Sequence, residues 1–289
     1  MRPLLLIVGL ATLIVSGCAS KPPAPATQAG KPVKLGLALG GGAARGFAHV
    51  GVIKALESQG IVPDIVVGSS AGAVVGALYA AGNNGFELQK LAHRLDETQI
   101  SDWSLPDRGV LKGDLLQKFV NDAVGQRPLE ALNKPFGAVA TDLRNGDSVV
   151  FRTGNTGMAV RASATVPGVF QPVSINGHEY VDGGLSSLIP VRAAREMGAD
   201  VVIAVDISAR PSTQPVSSTF DILMQTFTIM GQSLARYELK EADVVISPQV
   251  GTVGSTEFQA RHDAILEGEK AAQAALPKIR EALKKAGRS

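Results

Sequence analysis

A serine flanked by glycines is the residue of this sequence with the clearest chemical potential. Residues 68–72 read Gly-Ser-Ser-Ala-Gly, which fits the pattern G-x-S-x-G with Ser70 at its centre. An apolar segment precedes this motif and small residues follow it, as in the strand–turn–helix elbow that presents a serine hydroxyl in the open at a helix N-terminus. Gly68 and Gly72 would relieve the crowding of such a turn. This context favours a nucleophile over a serine that only caps a helix.

A glycine-rich loop lies earlier in the chain, directly after the first apolar segment. Residues 40–46 read Gly-Gly-Gly-Ala-Ala-Arg-Gly, and amides without bulky side chains can converge on an anion at a helix start. The loop does not fit the dinucleotide-binding pattern G-x-G-x-x-G. If the pattern starts at Gly40, its last glycine is replaced by Arg45, and if it starts at Gly41, its second glycine is replaced by Ala43. We favour an oxyanion hole over a phosphate-binding loop, since a hole beside Ser70 explains both motifs together.

Asp182 begins a third short motif. Residues 182–184 read Asp-Gly-Gly and follow the apolar pair at 180–181. Taken alone, the tripeptide indicates a plain turn, because Asp-Gly is a common turn dipeptide. Its weight comes from its combination with the other two motifs.

Together, the three motifs resemble those of the patatin-like phospholipases in their order and spacing. Residues 37–52 and 162–170 are similar to the bacterial branch of that family. The resemblance covers about residues 33–207, and it departs from the pattern at Ala43, where many members have glycine.

The resemblance implies a catalytic dyad in which Ser70 attacks an acyl ester and Asp182 is the base. It also implies an oxyanion hole formed by backbone amides, and no metal or other cofactor. The residues of that hole are Gly41, Gly42 and Ala43, and the residues in support are Arg45, Gly46, Gly68, Gly72, Gly183 and Gly184. For Arg45, a solvated position in the first helical turn is an equally open interpretation.

The histidines leave a second mechanism open. The four are His49, His93, His178 and His262, and none pairs with another at the spacing of a metal site. His262 follows Ser70 and could complete the triad of a conventional α/β-hydrolase esterase. A third hypothesis is a non-catalytic envelope lipoprotein on a patatin-like scaffold.

The elements that must position these motifs alternate between strands and helices. Apolar runs and turn residues predict strands at 33–39, 65–67, 135–140, 148–151, 201–206 and 244–247. Helices are predicted at 43–58, 71–81, 86–95, 113–123 and 191–197, with a solvated C-terminal helix at 261–285 that is broken near Pro277. This alternation predicts an α/β fold with a mainly parallel sheet covered on both faces. The resemblance implies the patatin-like, three-layer α/β/α form of that fold.

A stripe of large apolar residues marks one more helix. Its members are Phe220, Leu223, Phe227, Met230 and Leu234. We predict that the stripe packs in the core, with an acyl-chain groove or a membrane contact as the alternative.

The composition describes a globular protein. The chain has 289 residues, a net charge of +2, 45% apolar residues and one cysteine. Scattered basic residues without a stripe argue against nucleic-acid binding, and a lone cysteine excludes a disulfide framework. We expect one catalytic domain at residues 33–289, with its motifs within 33–207.

The first residues explain the lone cysteine. Twelve mostly apolar residues at 4–15 suit a signal peptide and are too short to span a bilayer. They lead to Val-Ser-Gly-Cys at 15–18, which resembles the bacterial lipobox. The expectation is a signal peptide at 1–17, lipidation of Cys18 and a proline-rich tether at 18–32. Ala19, directly after the cysteine, favours sorting of the protein to the outer membrane, where it would face the periplasm. The expected substrate is a phospholipid or another acyl ester.

Overall fold

The computed structural model describes residues 31–95, 98, 100, 102, 108–211, 217–251, 253, 254 and 257–288. The signal peptide, Cys18 and most of the tether, as predicted from the sequence, lie outside the described residues. The three sequence motifs belong to a compact unit at Val33–Ser289.

The strands and helices alternate along the first half of this unit. The strands are β1 (Leu35–Leu39), β2 (Ile65–Ser69), β3 (Phe136–Asp142), β4 (Ser148–Phe151), β5 (Val173–Ile175), β6 (His178–Asp182), β7 (Val201–Val205) and β8 (Val244–Ile246). The helices are α1 (Phe47–Ser58), α2 (Ala71–Ala80), α3 (Gly85–Arg94), α4 (Asp114–Ala123), α5 (Thr156–Ser163), α6 (Val191–Glu196), α7 (Thr219–Glu238) and α8 (Arg261–Ala286). The predicted helix at 43–58 divides into a 3-10 turn at Ala43–Gly46 and α1.

The sheet is mainly parallel, as predicted. Its order is β5-β6-β3-β2-β1-β7-β8, with β4 also paired to β3. Strands β3, β2, β1, β7 and β8 run parallel to their neighbours in this series. Strands β4, β5 and β6 are antiparallel additions at the β3 edge. This architecture confirms the predicted α/β class.

Alternating side chains cover both faces of the sheet. In β1, Leu37 and Leu39 join the larger apolar cluster, which includes residues of α1, α2 and α8. Ala38 points into a second cluster, with α6. Successive side chains of a strand point to opposite faces, so these buried strands need apolar residues at every position. The three-layer α/β/α arrangement follows from this pattern.

The register of β3 brings two strand ends together. Ser69 at the end of β2 pairs with Val139, and Asp182 at the end of β6 pairs with Ala140. Val139 and Ala140 are consecutive on β3, so the residues that follow β2 meet those that follow β6. The sheet therefore places the serine motif beside the Asp-Gly-Gly motif, although more than a hundred residues separate them in the chain.

Helix α8 is continuous, so the predicted break near Pro277 is wrong. A proline removes one hydrogen bond to the carbonyl four residues earlier, here that of Gln273. Both residues face solvent, where water can satisfy that carbonyl. The prediction of a solvated helix is wrong for the opposite face, which packs against α1. A Cβ at Gly268 would lie 2.0 Å from the Ala48 carbonyl oxygen of α1. This backbone contact between α8 and α1 keeps the helix in place.

Helix α7 is largely exposed, so the prediction that its apolar stripe packs in the core is also wrong. Phe220 is 49% exposed, Leu223 50% and Met230 58%. The buried residues of α7 are the small ones, Gly231 and Ala235. Periodicity correctly indicates a helix, but it does not show whether another element covers the apolar face. Among the described residues, helices with the length and apolar character needed to cross a membrane are absent.

Candidate active site

Ser70 occupies a strained turn between β2 and α2. Its backbone has φ 53° and ψ −122°, a region that residues with a side chain rarely adopt. The flanking glycines are required by close contacts: a Cβ at Gly68 would lie 2.2 Å from the Gly72 carbonyl oxygen, and a Cβ at Gly72 would lie 2.1 Å from that of Leu39. The strand–turn–helix elbow predicted from the sequence is therefore present.

Ser70 is shielded from solvent by its surroundings. The residue is 8% exposed, which corrects the prediction of an open hydroxyl. A Cβ placed on Gly41 would lie 3.2 Å from Ser70 Cβ and 2.9 Å from Leu188 Cδ1. Leu188 thus forms part of the wall above the nucleophile, together with the glycine-rich loop.

Asp182 ends β6 and is buried against the elbow. Its Oδ1 accepts the Gly184 amide at 2.7 Å, whereas Oδ2 is buried without a donor at full hydrogen-bonding geometry. Burial raises the pKa of Asp182 to about 6, and hydrogen bonding by the Ser70 hydroxyl and the Gly184 amide partly opposes that rise. The carboxyl that faces the serine is therefore a better proton acceptor than a solvated aspartate.

Gly183 is required by the approach of β6 to β2 and β3. A Cβ at this position would lie 2.1 Å from the Val139 carbonyl oxygen and 2.7 Å from Ser69 Oγ. Any side chain here would push the Asp182 loop away from the elbow. The Asp-Gly-Gly motif is therefore more than a turn, since its first glycine permits the contact between the two strand ends.

The glycine-rich loop presents two amides that fit an oxyanion hole. Ala43 has φ 51°, a left-handed conformation normally occupied by glycine. Within the described chain, the amides of Gly42 and Ala43 donate to no carbonyl or side chain. The Gly41 amide instead donates to the Leu188 carbonyl at 3.0 Å. The Gly41 amide, which the sequence also assigned to the oxyanion hole, is therefore occupied, whereas those of Gly42 and Ala43 are available to an oxyanion.

Arg45 holds that loop from below. The residue is buried, its Nε donates to the Ile207 carbonyl at 3.0 Å and Nη1 to the Val253 carbonyl at 3.0 Å. Burial lowers the pKa of its guanidinium. These contacts exclude the solvated interpretation. Gly46 brings the same turn onto α2, where its Cβ would lie 2.8 Å from Ala71 Cβ.

His49 is a buried residue of the loop's surroundings to which the sequence assigned no role. Its Nε2–H donates to the Gly40 carbonyl at 2.8 Å, because a carbonyl oxygen can only accept. Complete burial lowers the pKa of His49 to about 4, so the ring is neutral at physiological pH. His49 contributes to the shape of the loop rather than to proton transfer.

His178 and His262, the second of which was the candidate for a triad, have other surroundings. His178 begins β6, four residues before Asp182, which places it about 13 Å away at about 3.3 Å per residue, and its Nδ1 lies 2.7 Å from Asp142 Oδ2. His262 lies at the start of α8 with its ring 6.3 Å from that of His93. In the described part of the chain, the Gly184 amide donates to the Asp182 carboxyl and the Ser70 hydroxyl also favours its ionised form, with no histidine in contact, so the geometry favours the dyad.

The loop that carries Leu188 is fixed by α7. Glu238, the last residue of that helix, accepts the Ser187 hydroxyl at 2.6 Å and the Ile189 amide at 2.8 Å. Leu188 Cδ2 lies 3.2 Å from where a Cβ on Gly231 of α7 would be. The exposed apolar helix α7 therefore packs directly against the Leu188 loop, which lies beside Ser70.

Comparisons with known proteins identify the family of this chain. Residues 37–195 match the patatin-like phospholipase family. An uncharacterized NTE family protein of Mycobacterium tuberculosis is 38% identical over 195 residues, which cover 64% of this chain and 53% of that protein. A second such protein of the same organism is 30% identical over 272 residues, or 84% of this chain and 46% of its own length. The chain therefore spans about half the length of these relatives.

Two further proteins match this chain, one in sequence and one in fold. The mouse patatin-like phospholipase domain-containing protein 6 is 33% identical over 187 residues, which cover 62% of this chain and 14% of that protein. The crystal structure of VipD from Legionella pneumophila matches with a TM-score of 0.59 at 16% identity, covering 85% of this chain and 66% of that one. This second similarity concerns the fold alone.

The family match extends over more than half of the chain and contains the glycine-rich loop, the serine elbow and the Asp-Gly-Gly motif. The chain belongs to the patatin-like phospholipase family.

Proposed function

We propose that this protein is a membrane-anchored serine lipid acyl hydrolase that cleaves carboxylic esters of phospholipids or lysophospholipids. The observation that carries the proposal is the pairing of Ser70, in its strained elbow, with the buried Asp182 carboxyl of raised pKa. The unpaired amides of Gly42 and Ala43 complete the set of groups that acyl transfer requires. The family match supports a lipid substrate.

In the proposed mechanism, Ser70 Oγ attacks the ester carbonyl while Asp182 takes the hydroxyl proton. The tetrahedral oxyanion accepts hydrogen bonds from the Gly42 and Ala43 amides. As the intermediate collapses, Asp182 returns its proton to the departing alcohol and leaves an acyl-enzyme. Water then gives a proton to Asp182 and attacks the acyl group, and a second collapse releases the fatty acid and restores the Ser70 hydroxyl. The sequence of steps uses no cofactor.

The same carboxyl must accept and donate a proton in each half-reaction. A solvated aspartate has a pKa of about 3.9 and is a weak base. Burial raises the pKa of Asp182 to about 6, which brings it nearer to neutral pH, where general acid–base catalysis is most effective. The desolvated position of the carboxyl is thus what enables an aspartate to act without a histidine.

The character of helix α7 favours the view that the substrate comes from a lipid surface. From Ile222 to Ala235 its sequence contains no charged residue, and most of its large apolar side chains are exposed. Part of the helix lies near the site, since Leu188 Cδ2 is 3.2 Å from a Cβ built on Gly231. An exposed helix of this character is suited to lie in a lipid interface. The proposed lipid anchor at Cys18 would keep the protein at the outer membrane, facing the periplasm.

Replacement of either dyad member tests the mechanism. We expect Ser70→Ala and Asp182→Asn each to lower kcat on a short-chain ester by roughly 10³-fold or more, because each removes an essential group. His178→Gln and His262→Gln are the controls and should retain most of the activity. Circular dichroism checks the fold, and a fluorophosphonate should label the wild type and both histidine controls but not Ser70→Ala. A loss in His262→Gln as large as that in Asp182→Asn would replace the dyad with a triad, and a failure of the wild type to be labelled would support a non-catalytic lipoprotein.

The pH dependence follows from the raised pKa of Asp182. The base must be ionised, so kcat/KM should fall as pH decreases through about 6. The free energy of unfolding changes in the opposite direction to the activity. Because the pKa of Asp182 is higher in the folded than in the unfolded chain, its contribution to stability is complete at low pH and is lost as pH rises from about 4 to 6. Asp182→Asn should therefore gain up to about 3 kcal/mol over the wild type between those pH values, at about 1.4 kcal/mol per pKa unit. Denaturant titrations across this range measure the difference, and a difference independent of pH would contradict the raised pKa.

Polar replacements on α7 test its contact with lipid. In a Cys18→Ser background, which removes the proposed anchor, we expect the double variant Ile229→Gln/Met230→Gln to bind phospholipid vesicles less and to hydrolyse them more slowly. Turnover of a soluble short-chain ester should stay unchanged, since neither side chain is part of the dyad. Phe86→Gln/Leu266→Gln, at exposed positions of α3 and α8, is the matched control. Equal vesicle binding by both double variants would remove α7 from the proposal.

The anchor itself is tested by metabolic labelling. Radiolabelled palmitate should enter the wild-type protein and not Cys18→Ser, because the thiol is the predicted acceptor. The mature chain should then begin at Cys18 and fractionate with the outer membrane. Equal palmitate incorporation in the two proteins would show that Cys18 is not the lipidation site.

A further inference from the structure

Ser163, the last residue of α5, makes a contact with the nucleophile that the dyad mechanism does not use. Its side chain is completely buried. The backbone amide of Ser70 donates to Ser163 Oγ at 3.0 Å, and Ser163 Oγ donates to the Val139 carbonyl of β3. One hydroxyl thus connects the catalytic elbow to the central sheet.

The catalytic aspartate is held by the same segment. Two residues after Ser163, the Thr165 carbonyl accepts the backbone amide of Asp182 at 2.8 Å. Thr165 is itself fixed, because its hydroxyl donates to the Arg161 carbonyl in the last turn of α5 at 2.8 Å. The backbone amides of both dyad residues therefore donate hydrogen bonds to one short segment, which we call the α5 brace (residues 163–165).

The Ser70 amide needs this partner. Amides at the start of a helix have no acceptor within the helix, and here the amide is buried in a backbone conformation that is strained for serine. Strained backbone persists only where surrounding contacts enforce it. Without the Ser163 hydroxyl, the amide would be unsatisfied and the elbow could relax away from Asp182.

We propose that Ser163 is a positioning residue for catalysis, which sets the separation of the Ser70 hydroxyl and the Asp182 carboxyl through the α5 brace. The inference rests on the proposed function and adds a residue outside the dyad to it. A small displacement of reacting groups lowers kcat far more than it lowers substrate affinity. It also has an electrostatic signature, because the Ser70 hydroxyl stabilises the ionised form of Asp182.

The test compares Ser163→Ala with Ser163→Thr in the full chain, using a soluble short-chain ester. For Ser163→Ala we expect kcat to fall on the order of 10- to 100-fold, KM to stay nearly constant and the acidic midpoint of the pH profile to rise. The midpoint rises because a displaced Ser70 no longer favours the ionised carboxyl. Ser163→Thr keeps the hydroxyl and should stay close to the wild type in both measurements.

Thr156→Val is the matched control. Thr156 begins the same helix, is completely buried and donates its hydroxyl to the Arg127 carbonyl at 2.7 Å, so its loss removes a similar hydrogen bond away from the dyad. We expect Thr156→Val to lower thermal stability and to leave kcat and the pH midpoint unchanged. If Ser163→Ala does not fold, Ser163→Cys gives the same comparison with a weaker acceptor and should show the same shifts in smaller measure.

The outcomes separate this inference from the proposed function. If Ser70→Ala is inactive while Ser163→Ala, or Ser163→Cys in its place, matches the wild type in kcat and pH midpoint, the brace is structural and the positioning role is wrong. Equal changes in the Ser163 variant and Thr156→Val would have the same meaning. If Ser70→Ala keeps wild-type turnover, the proposed function itself fails.

Discussion

The burial of one carboxyl group is the constraint on which the rest of the site depends. An ionised aspartate removed from water is costly unless donors replace its hydration. At Asp182 the Gly184 amide donates to Oδ1 and the Ser70 hydroxyl also favours the charged form, whereas Oδ2 has no donor among the described residues. This set is small enough to leave the pKa raised and large enough to keep the charged form accessible. A fuller set of donors would stabilise the carboxylate and make it a weaker base, whereas their absence would keep it protonated.

Close backbone contact is the means by which the fold builds this environment. Gly68, Gly72 and Gly183 each lie where a Cβ would be little more than 2 Å from a neighbouring carbonyl oxygen. The elbow, the first strand and the Asp182 loop are therefore packed backbone against backbone, which leaves little space for water around the dyad. The glycines of the motifs thus have a packing function in addition to their conformational one.

The sequence predicted the parts of the site that have local signatures. The elbow follows from an apolar run, a G-x-S-x-G motif and small residues, and its location at the end of a parallel strand follows from the fold class. The sequence could not assign Ser163 because its contact with Ser70 joins residues 93 positions apart. It also could not show that the Leu188 carbonyl occupies the Gly41 amide, since the loop around Leu188 carries no motif. The sequence also could not predict the exposure of α7, because the periodicity of a helix gives no information on which other elements pack against it.

The enclosure of Ser70 and the exposure of α7 are two aspects of one arrangement. A nucleophile at 8% exposure is poorly placed for a substrate that arrives through bulk water, and a long acyl chain is itself poorly soluble there. Leu188 contacts the glycine-rich loop on one side and Gly231 of α7 on the other, so the wall of the site continues into the apolar helix. Under the proposed function, an ester leaving a lipid layer would remain in contact with apolar side chains until it reaches the dyad. The exposed apolar residues of α7, a liability for a protein surrounded by water, are then explained by the environment in which the enzyme would work.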